Sequence, residues 1–279
     1  MTTTIALTLR ARVEQVIEAD SITPDRLATL SESEIAALPL WEGRIQRQLG
    51  ELFEVRGSRS TSIRLTGDLS RIDALGAGMT TGELVIDGPV GRYVGTRMAG
   101  GTLRVLGNAG DGAGLEMAGG VLEITGNAGD GVGAARLGAS KGMRGGEIVV
   151  RGSAGARAGA RMRRGTIVVC GHTGPDAGEG MIAGNLFVLG AVGENAGRSN
   201  KRGSIVALGP VSIPVSYRYA CTYRPPHVAL ALRSLRTRYA VPVTDAHLTG
   251  RYRRFSGDMA ELGRGEILAW DGDGTEVTG

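Results

Sequence analysis

Short stretches in which apolar residues alternate with other residues, each bounded by glycines, recur between residues 82 and 208. Each copy opens with a glycine, places two apolar residues at alternate positions and closes on a glycine, as in GELVIDG at 82–88 and GTLRVLG at 101–107. This period-2 pattern predicts one short β-strand per copy. The copies start at Gly82, Gly101, Gly120, Gly146, Gly165 and Gly184, with a partial copy from Gly203.

The spacing of the copies indicates the fold class. Four of the five spacings between the six full starts are 19 residues, and the fifth is 26. A fixed period of this size predicts a solenoid, because a unit this short cannot bury its own strand and has to stack on its neighbours. We therefore expect an all-β protein, a right-handed parallel β-helix of about seven 19-residue coils, with small α/β caps at both ends.

Two other solenoids fit less well. The left-handed hexapeptide helix would need three six-residue steps per coil, whereas the tight strand pattern appears once per coil. The nine-residue calcium-binding repeat would need recurrent acidic ligands, whereas Asp111 and Asp130 recur in only two coils.

The chain divides into three predicted parts. Residues 1–66 are expected to cap the first coil, residues 67–209 to form the β-helix, and residues 210–279 to form a C-terminal cap with a helix at 226–239 after two prolines. In the caps we expect short helices that begin at Thr23-Pro24 and at Ser31, and strands at 4–13, 52–55, 63–65, 240–243, 251–255 and 265–270.

From the fourth coil onward, the outward strand positions become apolar. An apolar stripe on the outside of a rod needs a cover. The helix at 226–239 is the expected cover, because Val228, Leu232, Leu235 and Tyr239 fall on one face, and a partner protein is the alternative. The stripe comprises Val149, Val168, Phe187, Leu189, Val206 and Leu208.

The amino-acid composition argues against several classes of function. Hydrophobic residues make up 42% of the chain, yet no apolar run approaches a membrane span, and the N-terminus does not resemble a signal peptide, so we expect a cytoplasmic protein without membrane contact. The net charge is only +4 and aromatics are 4%, which argues against nucleic acid as a partner. The two cysteines, Cys170 and Cys221, form neither a disulfide framework nor a metal cluster, and Cys170 is expected to be structural.

Residues with catalytic potential are few. The three histidines have no partner at metal-ligand spacing, and the glycine-rich turns lack the Gly-Lys-Ser/Thr ending of a phosphate loop. No two carboxylates are brought together as an acid/base pair, which also disfavours a carbohydrate-active enzyme. We therefore predict no catalytic residue and no metal ligand on this chain, although a stand-alone β-helix with its own activity remains an alternative.

Arginine is concentrated in the later coils, where a solvated rim and a polyanion site are the two interpretations. The third coil also carries seven additional residues around 134–141, which indicate either drift or a loop on a binding face. The basic residues of this region are Arg144, Arg151, Arg157, Arg161, Arg163, Arg164, Arg198, Lys201 and Arg202.

Two longer motifs carry a family resemblance. The stretch GMRGGEIVVRGSAG at 142–155 and the tail FSGDMAELGRGEILAW at 255–270 resemble the C subunit of formylmethanofuran dehydrogenase, over nearly the whole chain. The repeats are also similar to the C-terminal domain of the glutamate synthase large subunit, but we expect no attached synthase domain and the tail matches the dehydrogenase family.

The resemblance implies one of two settings. One is a tungsten or molybdenum dehydrogenase that reduces carbon dioxide onto methanofuran. The other is a bacterial formyltransferase/hydrolase complex of one-carbon metabolism, which moves a formyl group from formyltetrahydromethanopterin to a methanofuran analogue and releases formate. The bias of arginine over lysine favours the second. In both, the resemblance implies a non-catalytic scaffold that packs against hydrolase-like, formyltransferase and further subunits.

The same resemblance suggests a ligand contact. The methanofuran analogue carries a chain of glutamates, and arginines on the rod would attract such a chain through guanidinium–carboxylate pairs. The candidate cofactor-binding residues are Arg157, Arg161, Arg163, Arg164, Arg198 and Lys201.

Overall fold

The computed structural model describes residues 4–10 and 13–272, which fold mostly into β-sheet with few helices. The strands are β1 Ile5–Leu9, β2 Ile17–Glu18, β3 Pro39–Glu42, β4 Ile45–Gln48, β5 Phe53–Arg56, β6 Ser62–Thr66, β7 Ile72–Asp73, β8 Glu83–Asp87, β9 Ala99–Val105, β10 Gly119–Ile124, β11 Glu147–Val150, β12 Thr166–Val169, β13 Asn185–Val188, β14 Ser204–Ala207, β15 Arg218–Tyr223, β16 Tyr252–Gly257 and β17 Gly265–Trp270. The helices are α1 Pro24–Leu27, α2 Glu32–Ala36, α3 Leu49–Leu52, α4 Pro226–Tyr239 and α5 Asp245–Thr249.

Thirteen strands form one mixed sheet, in the order β15-β16-β17-β14-β13-β12-β11-β10-β9-β8-β6-β1-β5. Its central part is parallel, from β1 through β6 and the seven repeat strands β8 to β14, and then β17 joins β14 in parallel. The antiparallel pairs of this sheet lie at its two ends and are β1–β5, β15–β16 and β16–β17. A separate four-stranded sheet has the order β4-β3-β2-β7.

The register of the parallel strands follows the sequence repeat. Ile167 lies opposite Leu186 and Leu186 opposite Ile205, each 19 residues on. A second line of parallel bridges joins the turns, from Leu69 through Val90, Ala109, Ala128, Ala154, Thr173 and Val192 to Val211. Each repeat is therefore hydrogen-bonded to the next along at least two lines.

The main core lies between these lines. The inward strand residues, such as Leu84 and Ile86, are fully buried. The methionine that recurs once per repeat is buried in all six repeats. Its side chain accounts for the glycine that opens the repeat after next, because a Cβ at that position would collide with it. At Gly101, where φ is +77°, an added Cβ would come within 2.5 Å of Met79 Cε.

The seven additional residues lie between Ala135 and Met143. The Ala135 amide donates to the Ala160 carbonyl at 3.1 Å, and the Met143 amide donates to the Gly133 carbonyl at 2.9 Å, so both residues keep their positions in the repeat. Residues 136–141 form a loop that does not shift the register on either side, and the Gly142 amide again donates to the Arg161 carbonyl of the next repeat, at 2.8 Å.

The apolar stripe is covered by the chain itself. Helix α4 buries Val228, Leu232, Leu235 and Tyr239 against the strand residues Val149, Val168, Phe187 and Val206 to form a second core. This confirms the expected cover. The same core contains Leu208 and part of Leu189 and Cys170.

The caps contain one wrong strand prediction. Residues 240–243 form no strand: Ala240 ends helix α4 in the left-handed conformation, with φ of +49°, while Val241 and Val243 are buried in the second core. Their alternation reflects packing against the helix rather than pairing in a sheet. The predicted strand at 4–13 is shorter, since β1 ends at Leu9, and residues 11 and 12 lie outside the described residues.

Other cap elements agree with the sequence. Thr23 and Ser31 are the N-caps of α1 and α2, the helix at 226–239 has its predicted bounds, and β17 spans the predicted 265–270. The edge strand β15 was not predicted. Within the described residues, no helix is both long enough and apolar enough to cross a bilayer.

Candidate functional site

The six candidate cationic residues lie at the turns that connect one repeat strand to the next. The structure brings Arg157 and Arg198 together at one acidic residue. Arg157 Nε lies 3.1 Å from Glu179 Oε2, and Arg198 Nη2 lies 3.3 Å from Glu179 Oε1 and 3.3 Å from Asp176 Oδ1. The charges of these two arginines are therefore balanced by their own chain.

Arg161 supports the additional loop. Its Nη1 donates a hydrogen bond of 2.8 Å to the Ala139 carbonyl, from a backbone position with φ of +57°. The Glu116 carboxylate also accepts a hydrogen bond from the Arg136 amide, which fixes the start of the loop.

A shallow groove of about 350 Å³ runs beside this loop. Arg161 and Lys201 line it together with Glu179 and Glu261, so its walls carry both signs of charge. Lys201 Nζ lies 3.9 Å from Glu261 Oε2, a loose pair. Of the six candidate residues, only Arg161 and Lys201 line the groove.

Arg163 and Arg164 differ from the other four. Both side chains are exposed, and neither forms an ion pair within residues 4–10 and 13–272. Arg144 and Arg202 are likewise exposed and unpaired in that part of the chain. The sequence places these last two in the basic region of the later coils but not among the six candidates, whereas aligning the repeats position by position would have included both.

A cluster of one tyrosine, one arginine and one glutamate resembles an acid/base site, but its role is structural. Tyr239 Oη donates a short hydrogen bond to Glu147, and Arg238 Nη2 lies 2.7 Å from the same carboxylate. Burial, followed by the hydrogen bond to Glu147 and then by the charge of that carboxylate, raises the pKa of the Tyr239 hydroxyl. This cluster ties the end of helix α4 to strand β11.

Other perturbed groups also lie at packing sites. Burial raises the pKa of Tyr217 to about 12, and its hydroxyl donates to the Gly197 carbonyl. Burial also raises the pKa of the Cys170 thiol, which reduces its reactivity. In the described part of the chain, no three histidine, cysteine or acidic residues converge as a metal site.

Comparison with known proteins identifies the family. No protein-family model matches the chain. The structure is similar to a chain in the crystal structure of the formyltransferase/hydrolase complex (FhcABCD) from Methylorubrum extorquens in complex with methylofuran. The TM-score is 0.86 and the identity 36%, covering 95% of this chain and 98% of that one. The chain belongs to the family of formylmethanofuran dehydrogenase C subunits.

Curated members of this family match over shorter segments. The C subunit of the molybdenum-containing formylmethanofuran dehydrogenase 1 of Methanothermobacter thermautotrophicus is 42% identical over 81 residues, which is 28% of this chain and 20% of that protein. The C subunit of the formyltransferase/hydrolase complex Fhc of Methylorubrum extorquens is 36% identical over 86 residues, 31% of this chain and 32% of that protein. The aligned segments thus span a fifth to a third of these relatives.

Proposed function

We propose that this chain is the structural C subunit of a formyltransferase/hydrolase complex, which transfers a formyl group from formyltetrahydromethanopterin to a methanofuran analogue and releases formate. The observation that carries the proposal is the end-to-end similarity to a chain of the FhcABCD structure, at 36% identity over 95% of this chain. The cytoplasmic location and the hydrolase-like and formyltransferase partners belong to the same proposal.

In this proposal the chain contributes no catalytic group. The stacked repeats at residues 67–209 form a right-handed parallel β-helix, and residues 1–66 and 210–279 close its two ends. The recurrent 19-residue register along two lines of hydrogen bonds supports the β-helix. The role of such a rod is to hold the catalytic subunits at a fixed separation, since its repeats are rigidly stacked.

A ligand role accompanies the structural one. The methylofuran of the FhcABCD structure belongs to the methanofuran class, and we propose that the acidic tail of such a ligand lies against the cationic turns. The six residues involved are Arg157, Arg161, Arg163, Arg164, Arg198 and Lys201.

One observation favours the alternative complex, a formylmethanofuran dehydrogenase. The 42% identity to the C subunit of a molybdenum-containing dehydrogenase, over 81 residues, supports a place in a formylmethanofuran dehydrogenase instead. Both settings use a homologous scaffold, so the partners distinguish them.

Native mass spectrometry of the protein purified from its own cells tests both settings. Association with a formyltransferase and a hydrolase-like subunit, without tungsten or molybdenum in elemental analysis, is the expected result. Association with a subunit that holds either metal would favour the dehydrogenase. A chain that purifies alone would contradict both.

A further inference from the structure

The additional loop of the third coil exposes an apolar side chain from a fixed position. Leu137 is 94% exposed. The loop around it is held by hydrogen bonds: the Ala139 amide donates to the Arg136 carbonyl at 2.9 Å, and the Ala139 carbonyl accepts from Arg161 Nη1 at 2.8 Å. An ordered loop that adds nothing to the repeat register is suited to contact with another molecule.

Leu137 lines a groove of about 300 Å³ on the turns of the early repeats. Tyr93 and Leu115 supply further apolar surface in this groove. A second groove, of about 460 Å³, shares Tyr93, Leu115 and Arg136 with the first and continues to Ala74. We call the two together the Tyr93 groove.

The Tyr93 groove follows the axis of the stack. The amide of Ala74 donates to the Arg92 carbonyl, that of Tyr93 to the Asp111 carbonyl and that of Gly112 to the Asp130 carbonyl, at 2.7 to 2.8 Å. These bonds join the turns of four successive coils. Three steps of about 4.8 Å give a length of about 14 Å, which an extended segment of four to five residues would span.

Tyr93 is an aromatic residue at a position that suits glycine. Its φ is +62°, and the equivalent residues of the next two repeats are Gly112 and Gly131. A bulky residue in the left-handed region is strained. The ring lies against Gly112, where an added Cβ would come within 2.6 Å of Tyr93 Cδ1, yet 43% of Tyr93 is exposed. Because neighbouring repeats stack without this side chain, contact with another molecule would account for it.

Carboxylates flank Tyr93 on both sides. Asp111 and Asp130 line one part of the Tyr93 groove, and Glu18 and Asp20 line the other. All four residues are exposed, and none forms an ion pair with residues 4–10 or 13–272. The Tyr93 groove is therefore acidic, in a chain whose formal net charge is +4.

The cations of the same chain do not balance these carboxylates. Arg136 lines both parts of the Tyr93 groove, but it stands against four carboxylates. Arg157 also lines the groove, but its Nε is already paired with Glu179 at 3.1 Å. The occupant that complements this surface carries positive charge.

The mixture of side chains selects among cationic occupants. Carboxylates bind arginine and lysine side chains, and the face of a tyrosine ring attracts a guanidinium or ammonium group. Leu115 and Leu137 favour an occupant that is also partly apolar. A metal ion fits poorly, because no three histidine, cysteine or acidic side chains converge in the part of the chain that the structure describes.

We propose that the Tyr93 groove binds an extended basic segment of a partner subunit, with an arginine or lysine side chain over the Tyr93 ring and between the flanking carboxylates. The inference rests on the proposed function, because the segment belongs to another subunit of the same complex.

Photo-crosslinking in the complex purified from its own cells tests the contact. A benzoylphenylalanine crosslinker is introduced at Leu137 and, as the control, at Leu230, which is 71% exposed on helix α4. We expect an adduct from position 137 with a partner-subunit segment that contains arginine or lysine. An adduct with a second copy of this chain, an adduct with a segment that lacks both residues, or the same adduct from position 230 would overturn the inference.

A charge variant tests the carboxylates. Asp111→Asn/Asp130→Asn removes two charges but keeps the Oδ1 acceptors that bind the Asp130 and Ala156 amides at 2.9 and 2.8 Å. The matched control, Glu51→Gln/Glu54→Gln, removes two charges from exposed side chains of the N-terminal part. The adduct yield from position 137 should fall about fivefold in the first and stay within about twofold in the control. Equal yields would count against the inference.

Tyr93→Asn separates a contact role from a structural one. Asparagine tolerates a positive φ, and Asn195 holds the equivalent position in a later repeat with φ of +58°. The variant should lose adduct from position 137 without a lower thermal midpoint. A lower midpoint with an unchanged adduct would mean that the ring serves the fold alone, and would overturn the inference.

The same purification distinguishes this inference from the proposed function. An intact complex that gives no adduct from position 137 contradicts the inference alone. A wild-type chain that purifies without any partner contradicts both.

Discussion

At one turn position, chemically different side chains make the same contact between repeats. Asn108 Oδ1 accepts from the Asn127 amide, Asn127 Oδ1 from the Ser153 amide, Ser153 Oγ from the His172 amide, and His172 Nδ1 from the Ala191 amide, at 2.8 to 3.0 Å. The requirement is an acceptor close to the backbone, which asparagine, serine and a suitably oriented histidine all provide. His172 is therefore a member of a structural ladder.

Substitution at His172 tests the ladder. His172→Asn should leave the free energy of unfolding nearly unchanged, because asparagine holds this position in two other repeats. His172→Ala should lower it by about 0.5–1.5 kcal/mol, the usual net value of one hydrogen bond. Urea unfolding measures both, and equal losses in the two variants would show that the acceptor is not what matters.

Asp258 joins the tail to the last repeats. Its Oδ2 accepts from the Ser199 amide and its Oδ1 from the Ala260 amide, both at 2.9 Å. Burial acts to raise the pKa of Asp258, but hydrogen bonds from these amides and from the Ser216 hydroxyl outweigh it, so the pKa is lowered. The folded state therefore favours the ionised carboxylate.

A lowered pKa makes stability depend on pH in a definite direction. The stabilisation from Asp258 is complete above the unfolded pKa of about 3.9 and is lost as the pH falls through the lower folded value. The difference in free energy of unfolding between wild type and Asp258→Asn should accordingly be largest above about pH 4 and shrink below it. Urea unfolding at several pH values measures this difference, and a constant value would contradict the assignment.

At the scale of elements, helix α4 turns an apolar outer surface into a second core. Leu232 is fully buried against the strands, whereas Leu230, on the same helix, is 71% exposed. The helix is also held at its end by the contacts of Arg238 and Tyr239 to Glu147. It stabilises the fourth to seventh repeats, whose outward strand residues are apolar.

The two leucines provide a matched test. Leu232→Ala should lower the free energy of unfolding by about 2–5 kcal/mol, because it leaves a cavity between helix and sheet. Leu230→Ala, with the same change in helix propensity, should alter it by less than about 0.5 kcal/mol. Chemical denaturation compares them, and similar losses would mean that the helix does not cover the stripe in solution.

At the scale of the whole molecule, the described repeats make most of their contacts with the repeat before and the repeat after. Stability is then approximately a sum of repeat and interface contributions. The early repeats lie outside the second core, so a complete repeat there, such as residues 101–119, is separable from helix α4. Its loss removes the Arg97–Glu116, Arg104–Glu83 and Arg104–Glu123 ion pairs, whose arginines are exposed and which contribute little to stability.

Deletion of residues 101–119 should therefore give a folded protein with one strand fewer, since Gly100 then precedes Gly120 in the original register. Deletion of residues 101–115 removes less of the chain but breaks the 19-residue register. We expect a cooperative thermal transition and a monodisperse elution profile for the first variant only. Aggregation of both would contradict the independence of the repeats.

The sequence by itself determined the repeats and their boundaries, the strand in each and the apolar face of helix α4. These features are periodic and depend on local spacing, so they can be predicted from the sequence alone. The family motifs were equally local. The same reasoning failed at residues 240–243, where alternation arose from contact with a helix and not from a strand.

Only the tertiary structure decided which arginine side chains are paired with acidic residues of the same chain and which are exposed to solvent. Arg157 and Arg164 look alike in the sequence, but one lies beside Glu179 and the other is exposed and unpaired within the described residues. Likewise Asp130 and His172 accept hydrogen bonds from backbone amides of the next repeat. In the sequence, Asp130 only suggests an incomplete calcium-binding repeat, and His172 only lacks a partner at metal-ligand spacing. Pairing between side chains 19 or more residues apart depends on how the repeats stack, and that stacking sets the distances and burial on which charge and hydrogen-bond energies depend.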